Sequence, residues 1–456
     1  MSEDATLNEF VEAELDSSEP EAEDLARKTV CGIPPQDWTV ARLGEMVRVV
    51  SGNSLPTEYQ NGKEGEHPVY KVSDMNAIGN QKYVTNTSNR LSKKDLEEIN
   101  HTLYPEGTTI LPKVGAALLT NKRRMLTEPS SFDNNVMGWI PDEINPEFLY
   151  YVSCMIDMKA VAQKGAVPSI SMAIAKSLKL PSPPLPEQRK IATVLYTVDQ
   201  AIEKAEEIDT QLHRVKKGAK QRLFTFGINK EETQSHHIGD FPESWKFDKI
   251  SNLAEIERGN TPRTSHDEYY GGDITWVTPD DLSDLNEDGN GKYISDSGRK
   301  LTPDGLESSS LTVVEPDSVM FTSRSYGIGR TAICTVPAAT NQGITAFDCG
   351  ETLDTEFFYY YLNYIMDYVV SISGGSTFPE ISKSATGNID VPVPGMDEQK
   401  EIASILSQFD EQILHNREVM SQLKQLKSGL SQDLFAGTVR TTDTNIEVPE
   451  EIAKYG

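Results

Sequence analysis

The sequence predicts a mixed α/β (α+β) protein built from two copies of one unit. Each unit is a globular domain followed by a long helix, and the two helices pack as a coiled coil. Three observations predict this: an internal repeat, an apolar heptad seam in each repeated helix, and short β-rich runs punctuated by Gly, Pro, Asn and Asp. With 456 residues the chain exceeds one ordinary core, since a domain takes about 100–200 residues.

The repeat is plainest where Glu187-Gln188-Arg189-Lys190-Ile191-Ala192 returns as Glu398-Gln399-Lys400-Glu401-Ile402-Ala403. Carried without a gap to Phe224 and Phe435, the offset of 211 gives 15 identities in 38 positions. Upstream, Pro35-x-x-Trp38 matches Pro242-x-x-Trp245, Gly52-Asn53 matches Gly259-Asn260, and Lys113 matches Arg324. Glu147-Phe148-x-Tyr150-Tyr151 parallels Glu356-Phe357-x-Tyr359-Tyr360, and Pro168-x-Ile170-Ser171 parallels Pro379-x-Ile381-Ser382. The predicted parts are an acidic, disordered tail (1–30), a first domain (31–184) and its helix (185–228). A second domain (238–395), its helix (396–438) and a polar C-terminal tail (439–456) follow.

In the first helix the seam comprises Ile191, Val198, Ala205, Leu212 and Ala219, with Leu195, Ile202, Asp209, Lys216 and Leu223. In the second it comprises Ile402, Phe409, Asn416, Leu423 and Leu430, with Leu406, Ile413, Met420, Lys427 and Leu434. Five heptads argue for a coiled coil, about 57 Å long at 1.5 Å per residue. Pro186 and Pro394 mark the starts, Gly227 and Gly437 the ends. Asp209, Lys216, Asn416 and Lys427 break the seams. They are either tolerated defects and solvated ends, or polar residues that fix register or meet a third partner. Periodicity does not give the pair's orientation.

In the globular halves, Thr109-Ile110-Leu111 and Val313-Val314 read as strands, Phe148 to Lys164 and Phe357 to Met366 as helices. The aromatic density of the last fits a buried amphipathic helix better than base stacking. The net charge of −27 (43 basic, 70 acidic residues) argues, taken alone, against nucleic acid. However, acid is concentrated in the first 30 residues and between Glu231 and Glu307, and Lys113, Lys122, Arg123 and Arg124 gather with few acids nearby. Adaptation to a salt-rich cytoplasm accounts for such a surface. Cys31, Cys154, Cys334 and Cys349 are scattered, which fits buried thiols rather than a disulfide framework or zinc cluster. An acidic start and no long apolar run predict a cytoplasmic protein.

Recognisable chemistry is missing. Gly289-x-Gly291-Lys292 lacks the spacing of a phosphate loop, and Gly327-Ile328-Gly329 is a lone G-x-G. His236 and His237 are neighbours on an expected linker, poorly placed to share a metal. Pro279-Asp280-Asp281 reads as a turn. No catalytic residue and no metal ligand is assigned. The basic residues that a nucleic-acid partner would meet are Lys113, Lys122, Arg123 and Arg124 in the first domain, and Arg258, Arg263, Arg324 and Arg330 in the second. Asn53 and Asn260 either hydrogen-bond bases or supply a tight turn, and Asn341-Gln342 and Ser376-Thr377 are further loop candidates.

Pro183-Pro184-Leu185-Pro186-Glu187-Gln188-x-x-Ile191-Ala192-x-x-Leu195, its counterpart from Pro392 to Leu406, the closing Leu-Phe pairs and the P-x-x-W openings resemble the specificity subunits of type I restriction–modification systems. The resemblance covers about residues 31–440. It implies two target-recognition domains that each read half of a split, asymmetric site in double-stranded DNA. It also implies helices packed antiparallel as a spacer, two docked methyltransferase subunits and motor-nuclease subunits. S-adenosylmethionine, ATP and Mg2+ would then sit in the partners, with no cofactor on this chain. The alternatives are a coiled-coil scaffold that never meets DNA, a nuclease with an unrecognised site, and the specificity subunit of a methylase–nuclease fusion system. If the acidic surface is a salt adaptation, the melting temperature followed by circular dichroism rises between low and molar KCl; no change would refute it.

Overall fold

The computed structural model describes residues 26–62, 65–163, 165–287, 291–324, 327–374 and 379–454. The chain divides into unit 1 (Met1–Ile202 with Gln422–Gly456) and unit 2 (Glu203–Ser421). In unit 1 a five-stranded sheet runs in the order Val47–Ser51, Val136–Pro141, Thr109–Pro112, Arg124–Leu126, Tyr83–Val84. Unit 2 repeats it as Ala254–Arg258, Ile344–Cys349, Val319–Thr322, Thr331–Cys334, Tyr293–Ile294. In both sheets only the last pairing is parallel. A three-stranded sheet accompanies each: Arg90–Leu91, His67–Tyr70, Ser131–Phe132 in unit 1, and Lys300–Leu301, Tyr270–Val277, Ala338–Thr340 in unit 2. Identical strand order from dissimilar sequence is the fold-level form of the duplication. Val314 makes only an isolated bridge with Ala338, where a strand was expected.

Helix α1 (Pro146–Cys154) and the long α2 (Leu185–Phe226) have counterparts in α3 (Thr355–Tyr364) and α4 (Met396–Ala436). The helix expected from Phe148 to Lys164 breaks after Cys154, because Asp157 caps a new short helix, Met158–Val161. Phe357, Phe358, Tyr360 and Tyr361 are buried, which makes α3 a core helix. The Pro279-Asp280-Asp281 turn is instead the start of a helix: Asp281 Oδ2 accepts from the Thr278 backbone N–H at 2.7 Å. Gly227 and Gly437 end the long helices with φ of 67° and 72°, the left-handed backbone that glycine adopts without strain. The glycine of each Gly-Asn pair serves close approach: a Cβ on Gly52 would lie 2.0 Å from the Phe132 carbonyl oxygen, and one on Gly259 2.1 Å from that of Thr340.

Each Glu-Gln pair is a clamp. In unit 1 the Trp38 indole N–H donates to Glu187 (2.9 Å), which Arg440 also meets at 2.8 Å. Gln188 accepts from the N–H of Asn145, the cap of α1 (2.9 Å), and donates to the Pro183 carbonyl (3.0 Å). In unit 2 Trp245 donates to Glu398 (3.2 Å), and Gln399 accepts from Asp354, the cap of α3 (2.8 Å), and donates to Pro394 (3.0 Å). The start of each long helix is thereby fixed to its own globular domain.

Within each unit the start of one long helix lies beside the end of the other, an antiparallel pairing. Ile191 and Leu195 share the unit 1 core with Leu434 and Phe435, and Ile402 and Leu406 share that of unit 2 with Phe224. Val198, Ile202 and Ile413 are buried, and Leu212, Leu223, Phe409 and Leu423 half-buried. One expectation needs correction. Of the tail expected to be disordered, residues 1–25 lie outside the described residues, but Arg27 already bonds the Pro35 carbonyl at 2.7 Å. The polar C-terminal tail packs onto unit 1, because Ile452 reaches its core and Lys190 gathers the carbonyls of Thr441, Thr442 and Thr444. Leu195→Ala should cost about 2–5 kcal/mol of unit 1 stability in chemical denaturation, from lost burial and the cavity left behind. Ile208→Ala, on the exposed helix face within unit 2, should change the stability of unit 2 by less than about 0.5 kcal/mol.

Candidate nucleic-acid interface

The expected DNA-contacting residues separate into two groups. Arg123 is 2% exposed and donates to the Ile156 carbonyl at 2.9 Å. It holds the core together and cannot reach a phosphate, contrary to the sequence expectation. Arg124 is committed likewise, donating to the carbonyls of Arg123 (2.7 Å) and Met75 (2.6 Å). Asn53 and Asn260 are exposed, but their amides donate to the carbonyls of Asn100 and Ser309. Asn53 makes an isolated bridge with Asp133, and neither asparagine sits in a turn or has a left-handed backbone.

Several of the others lie at strand ends. In unit 2, Arg258 ends the strand Ala254–Arg258 and Arg324 follows Val319–Thr322, two strands across the sheet, and the two share Glu380 of the Pro-x-Ile-Ser loop. In unit 1 the matching positions hold Ser51, Lys113 and Ser169. There the Lys113 ammonium donates to the Ser51 hydroxyl at 2.6 Å. These residues line a cleft of about 500 Å³ with Asn134, Asn135 and Ser171. Ser51, Ser169 and Glu380 escaped the sequence reading, although the offset that aligned Lys113 with Arg324 also aligns Ser169 with Glu380. Lys122 bonds the Asn76 side chain, Arg263 is exposed, and Arg330 is half-buried. Gln342 bonds Thr261, whereas Ser376 and Thr377 lie outside the described residues.

A buried polar chain positions each domain against both helices. In unit 1 the Lys82 ammonium, 5% exposed, meets Glu147 at 2.6 Å and the Tyr151 hydroxyl at 2.8 Å. Tyr151 donates to Asp199 of α2 (2.7 Å), and Asp199 meets Lys427 of α4 at 2.5 Å. In unit 2 Lys292 meets Glu356 (2.7 Å) and Tyr360 (3.1 Å), Tyr360 donates to Asp410 of α4, and Asp410 meets Lys216 of α2. Burial lowers the Lys82 pKa, opposed by Glu147. Burial and then the nearby aspartates raise the pKa values of Tyr151 and Tyr360, which remain donors. All four seam-breaking residues are therefore paired across the helices: Lys216 and Lys427 as above, Arg417 with Asp209 at 3.3 Å, and Asn416 with the Ala205 carbonyl at 2.8 Å. They fix register.

His236 and His237 also depart from expectation. Their rings lie side by side, centroids 4.1 Å apart, with both Nε2 atoms facing Asp390 Oδ2 at 3.5 and 3.7 Å. A tight turn brings them together: His236 closes the strand Thr233–His236, whose partner resumes at Gly239.

The chain matches the type I restriction modification DNA specificity domain twice, at residues 35–214 and 242–425. It is 34% identical over 206 residues to the MjaIX specificity subunit of Methanocaldococcus jannaschii, a match that spans 45% of the chain and 46% of that relative. It is 25% identical over 434 residues to the putative MjaX specificity subunit of the same organism, spanning 92% and 97%. The EcoDI specificity subunit of Escherichia coli is 21% identical over 82% of each chain. The fold is shared with the type I S subunit of M. genitalium (TM-score 0.53, 16% identity, 87% of this chain and 96% of that one). It is also shared with a chain from a type I restriction–modification assembly (TM-score 0.54, 18% identity, 89% and 99%). Glu147→Gln would leave the buried Lys82 ammonium without its counter-charge, beside only the Tyr151 hydroxyl and a neutral amide. Chemical denaturation should show a loss of about 3–5 kcal/mol, whereas the double replacement Lys82→Met with Glu147→Leu should recover most of it.

Proposed function

The chain belongs to the type I restriction modification DNA specificity family, and from that premise we propose that each unit reads one part of a bipartite, asymmetric site in double-stranded DNA. It is the DNA-recognition subunit of such a system, and the reactions belong to its partners. The observation that supports two-part reading is the pair of like-folded units with unlike strand ends: serine and lysine in unit 1, two arginines on one glutamate in unit 2. A common scaffold keeps the docking geometry, and the differing polar groups select different bases.

In this reading the paired helices are the spacer, and their cross-helix ion pairs hold one length. Lys113, Lys122, Arg258, Arg263, Arg324 and Arg330 contact phosphates or base edges. Two methyltransferase subunits dock on the chain with S-adenosylmethionine, and motor-nuclease subunits bring ATP and Mg2+ chemistry, all in the cytoplasm. Among the described residues no helix is long and apolar enough to cross a membrane. The acidic surface belongs to the same proposal as an adaptation to concentrated salt. There phosphate attraction is screened, and short-range base contacts carry selectivity.

Arg324→Ala should weaken binding of the assembled complex by about 1–3 kcal/mol with one base position relaxed if Arg324 reads a base, or lower the salt slope by about 1 if it meets a phosphate. Unchanged affinity, slope and motif would remove it from the interface. Seven residues inserted at matched positions in both long helices add about 10.5 Å, close to three base pairs. Methylation-sensitive sequencing should then show a longer gap between unchanged half-sites; an altered half-site with the old gap would refute the spacer role.

A further inference from the structure

We propose that His236, His237 and Asp390 form a binding site for one divalent transition-metal ion of the zinc class. The site would tie the hairpin that follows α2 to the strand that leads into α4. On a regular strand, successive side chains face opposite ways. Here the turn after His236 abolishes that alternation and places both imidazoles on one side. The three ligand atoms all lie within 4.8 Å of one another, with 3.5 and 3.7 Å from the two Nε2 atoms to Asp390 Oδ2. A tetrahedral ion with bonds of about 2.0–2.2 Å sets its ligands about 3.3–3.6 Å apart. The separations from the two Nε2 atoms to Asp390 Oδ2 fall in or just above that range.

The surroundings support the assignment. His236 stacks on Phe247 with centroids 4.1 Å apart and 4° between the planes, which fixes its ring. Lys249 meets Asp390 Oδ1 at 2.6 Å and the Asn388 carbonyl at 2.8 Å, holding the carboxylate with Oδ2 turned to the imidazoles. Such outer partners orient ligands in metal sites. His237 is 53% exposed, so an ion can enter from solvent and keep a fourth, exchangeable ligand; the Tyr368 hydroxyl, 3.2 Å from the same Nε2, must give way to the ion. Two imidazoles and one carboxylate suit Zn2+, Co2+, Ni2+ or Cu2+, whereas Mg2+ and Ca2+ prefer all-oxygen sets.

The first half provides an internal contrast. The position matching Asp390 is Lys179, whose carbonyl accepts from the Val30 N–H at 3.1 Å and whose ammonium donates to the Ala26 carbonyl at 2.7 Å. Backbone pairing and a lysine occupy that junction, so the site belongs to the second half alone.

The test uses the full chain without a histidine tag, stripped of metal and titrated with Co2+ while the visible absorption of the cobalt is followed. One saturable equivalent with the spectrum of a four-coordinate ion, displaced by Zn2+, is expected. Asp390→Asn and the double variant His236→Gln with His237→Gln should each weaken it by more than about tenfold, with circular dichroism unchanged. His237→Gln alone, at a side chain 53% exposed, should keep the fold and still weaken binding, which keeps the test decisive if the other variants misfold. Absence of saturable binding to the wild-type chain, or binding undiminished in correctly folded ligand variants, overturns the site.

Discussion

A lysine on one long helix reaching an aspartate on the other, once in each unit, is the interaction on which the architecture depends. Lys427 finds Asp199 and Lys216 finds Asp410, in seams whose other contacts are largely apolar. Apolar seams tolerate sliding by a heptad, because one leucine packs much like another. A half-buried charge does not, since a slipped register would leave it desolvated and unpaired. The same aspartates accept from Tyr151 and Tyr360, which bond Lys82 and Lys292 within the globular domains. Helix register and the seating of each domain on its helices are thus one constraint, with the Glu-Gln clamps fixing the helix starts beside it.

The duplication preserves this framework and varies what it carries. Ser407 joins the unit 2 chain through Lys292 at 2.6 Å, whereas the matching Tyr196 places its ring 4.8 Å from the Lys82 ammonium. Glu187 is met by Arg440, and Glu398 instead accepts from the Ile228 backbone N–H at 3.1 Å. At the strand ends the divergence is greater: one cationic side chain in the unit 1 cleft, and two around Glu380 in unit 2. Two readers that share a frame and differ at their tips are what an asymmetric site requires.

Much of the fold was legible in the sequence because duplication is a strong signal. The offset of 211 located both long helices, and motifs repeated at nearby offsets located the glycine stops and the matched domains. Periodicity alone left the helix orientation open, since apolar heptads look alike in either direction, and only the charged partners decide it. The candidate interface was less legible. Arg123 and Arg124 read as a surface cluster because a run of basic residues carries no record of burial, and both proved tied to backbone carbonyls. The glutamate that joins Arg258 to Arg324 lies 56 residues beyond the second of them, a separation only the fold closes. The linker expected at His236 and His237 is a hairpin that faces Asp390, 153 residues away from His237.

The most direct measurement of the central claim is a map of methylated bases in the DNA of cells that carry this chain with its methyltransferase partner. Two like-folded heads held at one register predict a single motif of two unlike parts separated by a fixed gap, lost when the chain is deleted. An uninterrupted motif, a gap of varying length, or a modification pattern indifferent to the chain would contradict the account.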